Sequence, residues 1–313
     1  MITLILRRAL MGIPLVLVVA TVAFFLVQLT PGSPAAAVLG TQATPEAIAR
    51  FEEGLGLDRP VLMQYAEYMG QLLTLDLGQS WLTREPVGDI LASRLPVTVT
   101  LAVLSTLVAM LLGIAIGTAA AVRGGVVDRV LTAGSGVGLA LPNFWLASIL
   151  VLFFSLTLGL VPATGYVPFA ADPAQWANHL ILPVATLAVA MIASFARQTR
   201  TSMLEQLSSD YVRTLRGVGT TPMSIVWRHT LRNAAAPVLN TAGLQFVGVL
   251  GGAIVIEQVF ALPGLGRAIV QSASARDLPV LLGAVVVSAI VVLIVNVLVD
   301  IAVAALNPRV RLS

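Results

Sequence analysis

The sequence predicts an all-α membrane protein with six transmembrane helices, a helical external loop and a polar cytoplasmic segment between the fourth and fifth helices. Three observations predict it. Of 313 residues, 58% are hydrophobic and only 11% charged, where a soluble domain carries about 25% charged residues. Six apolar stretches are long enough to cross a hydrocarbon core about 30 Å thick. They are Ala9–Leu29, Val97–Val122, Gly134–Leu160, Leu180–Ala196, Val238–Ile256 and Val280–Leu306. Finally, the basic residues, all eighteen of them arginine, fall mainly in the segments that six crossings place on one side. So apolar a composition excludes a disordered chain, and the lack of cysteine excludes disulfides and thiolate metal sites.

The first span follows Arg7 and Arg8 and precedes Ala35-Ala36-Ala37, which imitates a secretory signal and its cleavage site. Its apolar run exceeds the roughly 7 to 15 residues of a signal core, so an uncleaved helix is expected. The external loop 30–96 opens on the turn-rich LTPGSP. Thr44-Pro45 reads as an N-cap and first helical residue, with Ile48, Phe51 and Leu55 at helical spacing. A second amphipathic pattern uses Val61, Tyr65, Tyr68, Met69 and Leu72, and a third, after Pro86, uses Val87, Ile90, Leu91 and Leu95. The loop reads as a small cap on the chain's own helices. Seven acidic residues against three arginines between Glu46 and Glu85 support a second reading, a landing surface for an external partner.

Gly113 and Gly117, Gly134 and Gly138, and Gly248 and Gly252 each form G-x-x-x-G, a spacing that lets helices approach closely. In the third span, Pro142 and Asn143 place polar groups at lipid depth that a neighbouring helix must satisfy. The second external loop ends on Trp176, an interfacial aromatic, and His179. The chain is expected to form a single domain, 1–313. It divides into an N-terminal helix 1–29, the external loop 30–96, helices two to four in 97–196, a cytoplasmic segment 197–237 and the last two helices with the tail in 238–313.

In that cytoplasmic segment, Met203, Leu204, Leu207, Tyr211 and Leu215 share a face, so the fourth span is expected to continue unbroken out of the membrane. Gly217 and Gly219 stop it. Thr221-Pro222 then caps a second short helix with Met223, Val226, Trp227, Thr230 and Leu231 on one face. Arg213, Arg216, Arg228, His229 and Arg232 occupy the exposed faces. Contact with anionic lipid and insertion into a protein groove both fit this pattern.

Sidedness follows from the arginines. Twelve lie on the side of the termini and six on the other. Four of those six sit in the long first loop, and loops beyond about 60 residues translocate largely regardless of charge. Twelve against two places both termini in the cytoplasm.

Asp210-Tyr211-Val212-Arg213-Thr214, then Gly219, then Arg228-His229-Thr230-Leu231-Arg232-Asn233 and Pro237, resembles the cytoplasmic coupling loop of a known family. It is that of the permease subunits of bacterial ATP-binding-cassette importers, in the dipeptide and oligopeptide branch. LTPGSP at 29–34, LGLDRP at 55–60, DLGQS at 76–80, RLPVT at 94–98, HLILP at 179–183, IEQVFALPGLG at 256–266, RDLP at 276–279 and NPRVR at 307–311 are similar to segments of the same permeases, in the same order. The chain departs where Arg213-Thr214-Leu215 replaces the wider family's Glu-Ala-Ala, where Gly217 replaces alanine, and where Asn307 replaces aspartate.

The resemblance implies a type I importer permease fold in the bacterial inner membrane and a non-enzymatic chain, which itself has no G-x-x-x-x-G-K-[ST] phosphate loop. It implies two cytosolic ATPase subunits, or one fused double ATPase, carrying ATP and Mg. A second homologous permease subunit and an external solute-binding protein complete the complex. Membrane lipid surrounds the spans; no cofactor, metal or nucleic acid is expected on this chain. Asp210, Tyr211, Arg213, Arg216, Gly217, Gly219, Met223, Trp227, Arg228, His229 and Arg232 form the implied ATPase-coupling set. Dipeptides or oligopeptides are the expected cargo, with glutathione or nickel as the alternative within the branch.

Gln28, Asn143, Gln245, Glu257, Asn296 and Asp300 are candidates for the pathway, since polar side chains in spans face a bundle interior or a wet cavity. Interhelical pairing of Asn143 and Asn296, and an arginine partner for Asp300, are the competing readings. An ion-gradient-driven secondary transporter is the alternative class; it calls for ionisable residues at mid-membrane depth or an internal repeat. A membrane scaffold would not need the capped cytoplasmic helices.

Overall fold

The computed structural model describes residues 2–29, 32–40, 43–126, 128–130, 133–134 and 141–306. Its helices are α1 (Ile2–Gln28), α2 (Pro34–Leu39), α3 (Pro45–Gly54), α4 (Val61–Leu73), α5 (Val87–Arg123), α6 (Asn143–Thr157), α7 (Pro173–Leu207), α8 (Asp210–Gly217), α9 (Pro222–Val259), α10 (Leu265–Ala275) and α11 (Leu278–Leu306). Among the described residues no strand forms, and one isolated bridge joins Gln79 to Pro86. Five helices, α1, α5, α7, α9 and α11, are long and apolar enough to cross a membrane, and α6 is a shorter apolar helix. Among the described residues, five of the expected spans are long helices; the third, expected over 134–160, is described only in part, as α6. Gly138 and the NPRVR tail lie outside the described residues.

Two boundaries differ from expectation. The pattern after Pro86 is the first part of α5, which runs on through Pro96 to Arg123. Burial holds it helical across the proline: Val87 and Leu91 pack with Leu265, Val280 and Ala284 in one apolar cluster. The fourth span does not continue unbroken, because α7 ends at Leu207 and α8 starts at Asp210. The hydroxyls of Ser208 and Ser209 both donate to the Glu205 carbonyl, at 2.8 and 3.2 Å. Such side-chain bonds compete with the helical ladder and favour its interruption.

The chain divides into two compact units. One comprises residues 7–98 and 263–293. Here the loop between the first two spans folds as α2, α3 and α4. Ser33 and Thr44 cap α2 and α3 by accepting from the N–H groups of Ala36 and Ala47. Helix α4 lies against α1 and α11 through Leu72, Ala20 and Val286, with Tyr68 and Met69 alongside. Phe24 stacks on Tyr68 at 5.5 Å, and the Thr21 and Tyr65 hydroxyls meet at 2.9 Å. Burial, with a smaller contribution from Tyr65, pushes the Tyr68 phenol up to about 12.

Long-range polar ties then close this unit, and each joins two of the sequence segments singled out above. Asp277 of RDLP accepts from the Ser80 hydroxyl of DLGQS and from the Trp81 N–H at 3.0 Å. Arg276 donates to the Gly32 carbonyl of LTPGSP at 2.7 Å. The Leu265 N–H, one of the unpaired donors at the start of α10, bonds the Thr98 hydroxyl of RLPVT at 2.7 Å. These motifs are therefore structural fasteners for this unit.

The other unit is residues 1–6, 99–262 and 294–313. Helix α5 meets α7 where a Cβ at Gly113 would stand 3.1 Å from the Ala196 nitrogen, and one at Gly117 would stand 2.7 Å from Thr199 Cβ. This G-x-x-x-G is an intrachain packing seam. Gly248 has open space around it, while a Cβ at Gly252 would stand 3.2 Å from Asn143 Nδ2, so the 248–252 pair is not such a seam. Helix α9 packs chiefly on α7.

Two substitutions test these supports. Asp277→Ala leaves the Ser80 hydroxyl and the Trp81 N–H without their acceptor and should cost about 2–3 kcal/mol. Gly117→Val should be at least as damaging, since overpacking costs about 1–3 kcal/mol and here the neighbour is backbone. Thermal unfolding of the detergent-solubilised chain should show both as lowered midpoints, with Gly248→Ala near wild type as the control.

Candidate coupling segment and polar cleft

Between α7 and α9 the chain makes a compact detour. Helix α8 starts at Asp210, whose carboxylate sits in the first turn, and ends at Gly217 with Arg216 in the last turn. Both charges complement the helix dipole. Gly219 then adopts φ +79°, a left-handed conformation that a residue with a Cβ reaches only at a cost of about 1–2 kcal/mol. The Thr220 N–H returns to the Leu215 carbonyl at 3.0 Å, closing the turn. Gly217 has ordinary helical backbone and nothing around it, so only Gly219 is conformationally required.

Pro222 restarts the helix, as its fixed φ favours. Thr221 occupies the cap position, but its side chain makes no capping bond. The expected short second helix is not separate: residues 225–230 form a π-helical turn that leads straight into the long apolar part of α9. The wider turn rotates the face that the spacing predicted. Ile225 and Thr230 are buried, whereas Met223 is 69% and Trp227 51% exposed. Val218 adds a third exposed apolar side chain at 73%.

Arg213, Arg216, Arg228 and Arg232 are exposed beside these apolar groups, and His229 is half-buried. Asp210 makes only a long 3.5 Å contact with Arg213, with both side chains nearly fully exposed, and such pairs contribute little. Tyr211 leans back to Gln206 at 3.3 Å. The detour is rooted by Met203, Ala121 and Ala234, with Val226 and Leu231 packed on them. All eleven expected coupling residues, contiguous in sequence between 210 and 232, fall on one short helix, a hinge and the start of α9.

The six pathway candidates are not gathered. Gln28 is exposed and bonds Gln64 at 3.3 Å in the capped unit. Glu257 is fully buried within α9. Asn143 stands beside Gly252, and Asn296 beside Gly243, so the two asparagines do not pair with each other. Asp300 is half-buried and has a partner. Gln245 alone opens on a recess of α7 and α9, a cleft of about 340 Å³ that also presents Ser194, Arg197, Gln198, Thr201 and Thr241.

Sequence reasoning missed the difference between two arginines on α7. Arg200 forms a two-pronged ion pair with Asp128, whereas Arg197, one turn earlier and exposed, has no hydrogen-bonding or ionic partner among the described residues. The i, i+3 spacing was visible; the partner 72 residues away was not.

Among the described residues, five helices long and apolar enough to cross a membrane, a shorter apolar one and a basic helical detour that leads into α9 are the parts of a multi-pass membrane protein. The chain belongs to the family described as binding-protein-dependent transport system inner membrane components, which residues 109–312 match, while residues 1–102 match that system's N-terminal membrane component. A Brucella abortus (strain 2308) protein named as a peptide transport system permease is 43% identical over 312 residues, 99% of both chains. The glutathione transport system permease protein GsiC of Salmonella typhi is 41% identical over 312 residues, with 99% of both covered. Among solved structures, an inward-facing conformation of the MetNI methionine ABC transporter matches with TM-score 0.56 at 21% identity. It covers 70% of this chain and 96% of that one, and it supports the fold.

The hinge makes a paired prediction. Gly219→Ala should weaken the local fold by about 1 kcal/mol and speed amide hydrogen exchange across 210–221. Gly217→Ala, in the last helical position with space around it, should leave exchange unchanged or slow it.

Proposed function

We propose that this chain is the membrane-spanning permease subunit of an ATP-driven importer of dipeptides or short oligopeptides delivered by an external solute-binding protein. The observation that carries this is end-to-end similarity to a relative named for peptide transport, 43% over 99% of both chains. A second reading, glutathione, is favoured by the 41% match to GsiC. Because glutathione is itself a short modified peptide, the two share a chemical class.

In this reading ATP and Mg belong to partner ATPase subunits, and a second homologous permease completes the membrane part. Residues 210–232 form the contact with one ATPase: exposed Val218, Met223 and Trp227 supply apolar anchors and the surrounding arginines a charged rim. Aromatic and arginine side chains are the residue types that dominate such contacts. Both termini face the cytoplasm, supported by twelve arginines against two. Closure of the ATPases would move α8, and the continuous α9 would carry that movement into the bundle.

Gly219→Leu tests the coupling role. Left-handed strain of about 1–2 kcal/mol should lower the docking-competent population about tenfold. Uptake by the reconstituted importer and its binding-protein-stimulated ATP hydrolysis should both fall, with the variant still inserted in the membrane. Wild-type uptake by Gly219→Leu would overturn the assignment.

A further inference from the structure

The cleft of α7 and α9 has a chemistry that the coupling segment does not use. Ser194, Arg197, Thr201 and Gln245 line it, and none of these four side chains has a hydrogen-bonding partner among the described residues. Gln198 and Thr241 complete its polar wall but are engaged locally, with Ser202 at 3.1 Å and the Pro237 carbonyl at 3.1 Å. The lining contains one positive charge and no carboxylate. Arg200, by contrast, is neutralised within the chain by Asp128. The same helix therefore carries a satisfied guanidinium and, one turn away, an open one.

Depth along α7 places this cleft. Arg197 lies 24 residues beyond Pro173, the first residue of the helix, about 36 Å at 1.5 Å per residue. That exceeds a hydrocarbon core of about 30 Å, so the cleft sits at the end of α7 that leads into α8. At that depth Arg197 and Thr201 are exposed, so the guanidinium is hydrated and open to an anionic ligand. A guanidinium offers a planar fork that matches a carboxylate. Beside it, the Gln245 carbonyl oxygen accepts an N–H and the Ser194 and Thr201 hydroxyls donate or accept. A phosphodiester group by itself has no donor for the Gln245 oxygen, and a headgroup ammonium or hydroxyl that could fill it sits on a flexible arm. A terminal carboxylate next to a peptide N–H can use the whole set.

We infer that Arg197, Ser194, Thr201 and Gln245 form an exit-end subsite that takes the C-terminal carboxylate and adjoining amide of the transported peptide. This rests on the peptide-import reading. Arg197 is a specificity-determining residue here: it holds the free acid on the two helices that flank the coupling segment.

The test uses the complete importer in liposomes, with binding protein loaded to equal measured occupancy with a tripeptide or with its C-terminal amide. The readout is the ratio of free-acid to amide uptake, which is independent of the amount of importer assembled. Arg197→Gln should lower that ratio about tenfold, the scale of one charge-assisted hydrogen bond. Arg197→Lys keeps the charge without the fork, should show a smaller fall, and reads the same ratio if the glutamine variant does not assemble. An unchanged ratio in an active variant overturns the subsite alone. So does a loss that affects both peptides equally and vanishes in liposomes lacking anionic lipid, which would assign Arg197 to a headgroup. No uptake of either peptide by the wild type overturns the peptide reading and the inference with it.

Discussion

Within the hydrocarbon core no water is available to backbone N–H and C=O groups, so each crossing must close its own hydrogen bonds. Most features of this chain follow from that. Prolines at 14, 96, 183 and 237 remain inside long helices, which spans tolerate where neighbouring helices and local adjustments re-satisfy the freed backbone groups. With lipid as apolar as leucine, packing contacts bring helices together in place of a hydrophobic drive. Gly113 and Gly117 provide such a contact by admitting the α7 backbone to a distance that no side chain tolerates.

Where the chain leaves the apolar stretches, side-chain hydrogen bonds take over. Asp277 ties Ser80 and Trp81 across nearly two hundred residues of sequence, and Thr98 satisfies the first donor of α10. In the segment between α7 and α9, Ser208 and Ser209 break α7 and Gly219 turns the chain, so a short basic helix follows a root of Met203, Ala121 and Ala234. The segment is packed at its base and apolar and cationic at its tip, and α9 is continuous from that tip into an apolar span, which is the geometry that the proposed coupling role needs. The two arginines of α7 separate the roles further: Arg200 fastens the fold through Asp128, and Arg197 is left for a ligand.

The sequence by itself determined the class of fold. Apolar runs of fixed length, the arginine distribution, the cap at Thr44 and the proline start at Pro222 are local signals, and a helix is built from local bonds. It also marked residues 210–232, because the glycine hinge, the proline start and the arginines lie within about twenty residues of one another. Spacing could not foresee the π-helical turn at 225–230, which buries Ile225 and exposes Trp227, since a heptad-like pattern assumes one constant periodicity. The tertiary structure alone decided which motifs are fasteners, which arginine is paired, and that only Gln245 of the six polar candidates opens on the α7–α9 cleft. Each of these depends on contacts between residues tens to hundreds of positions apart, and no local pattern in the chain encodes them.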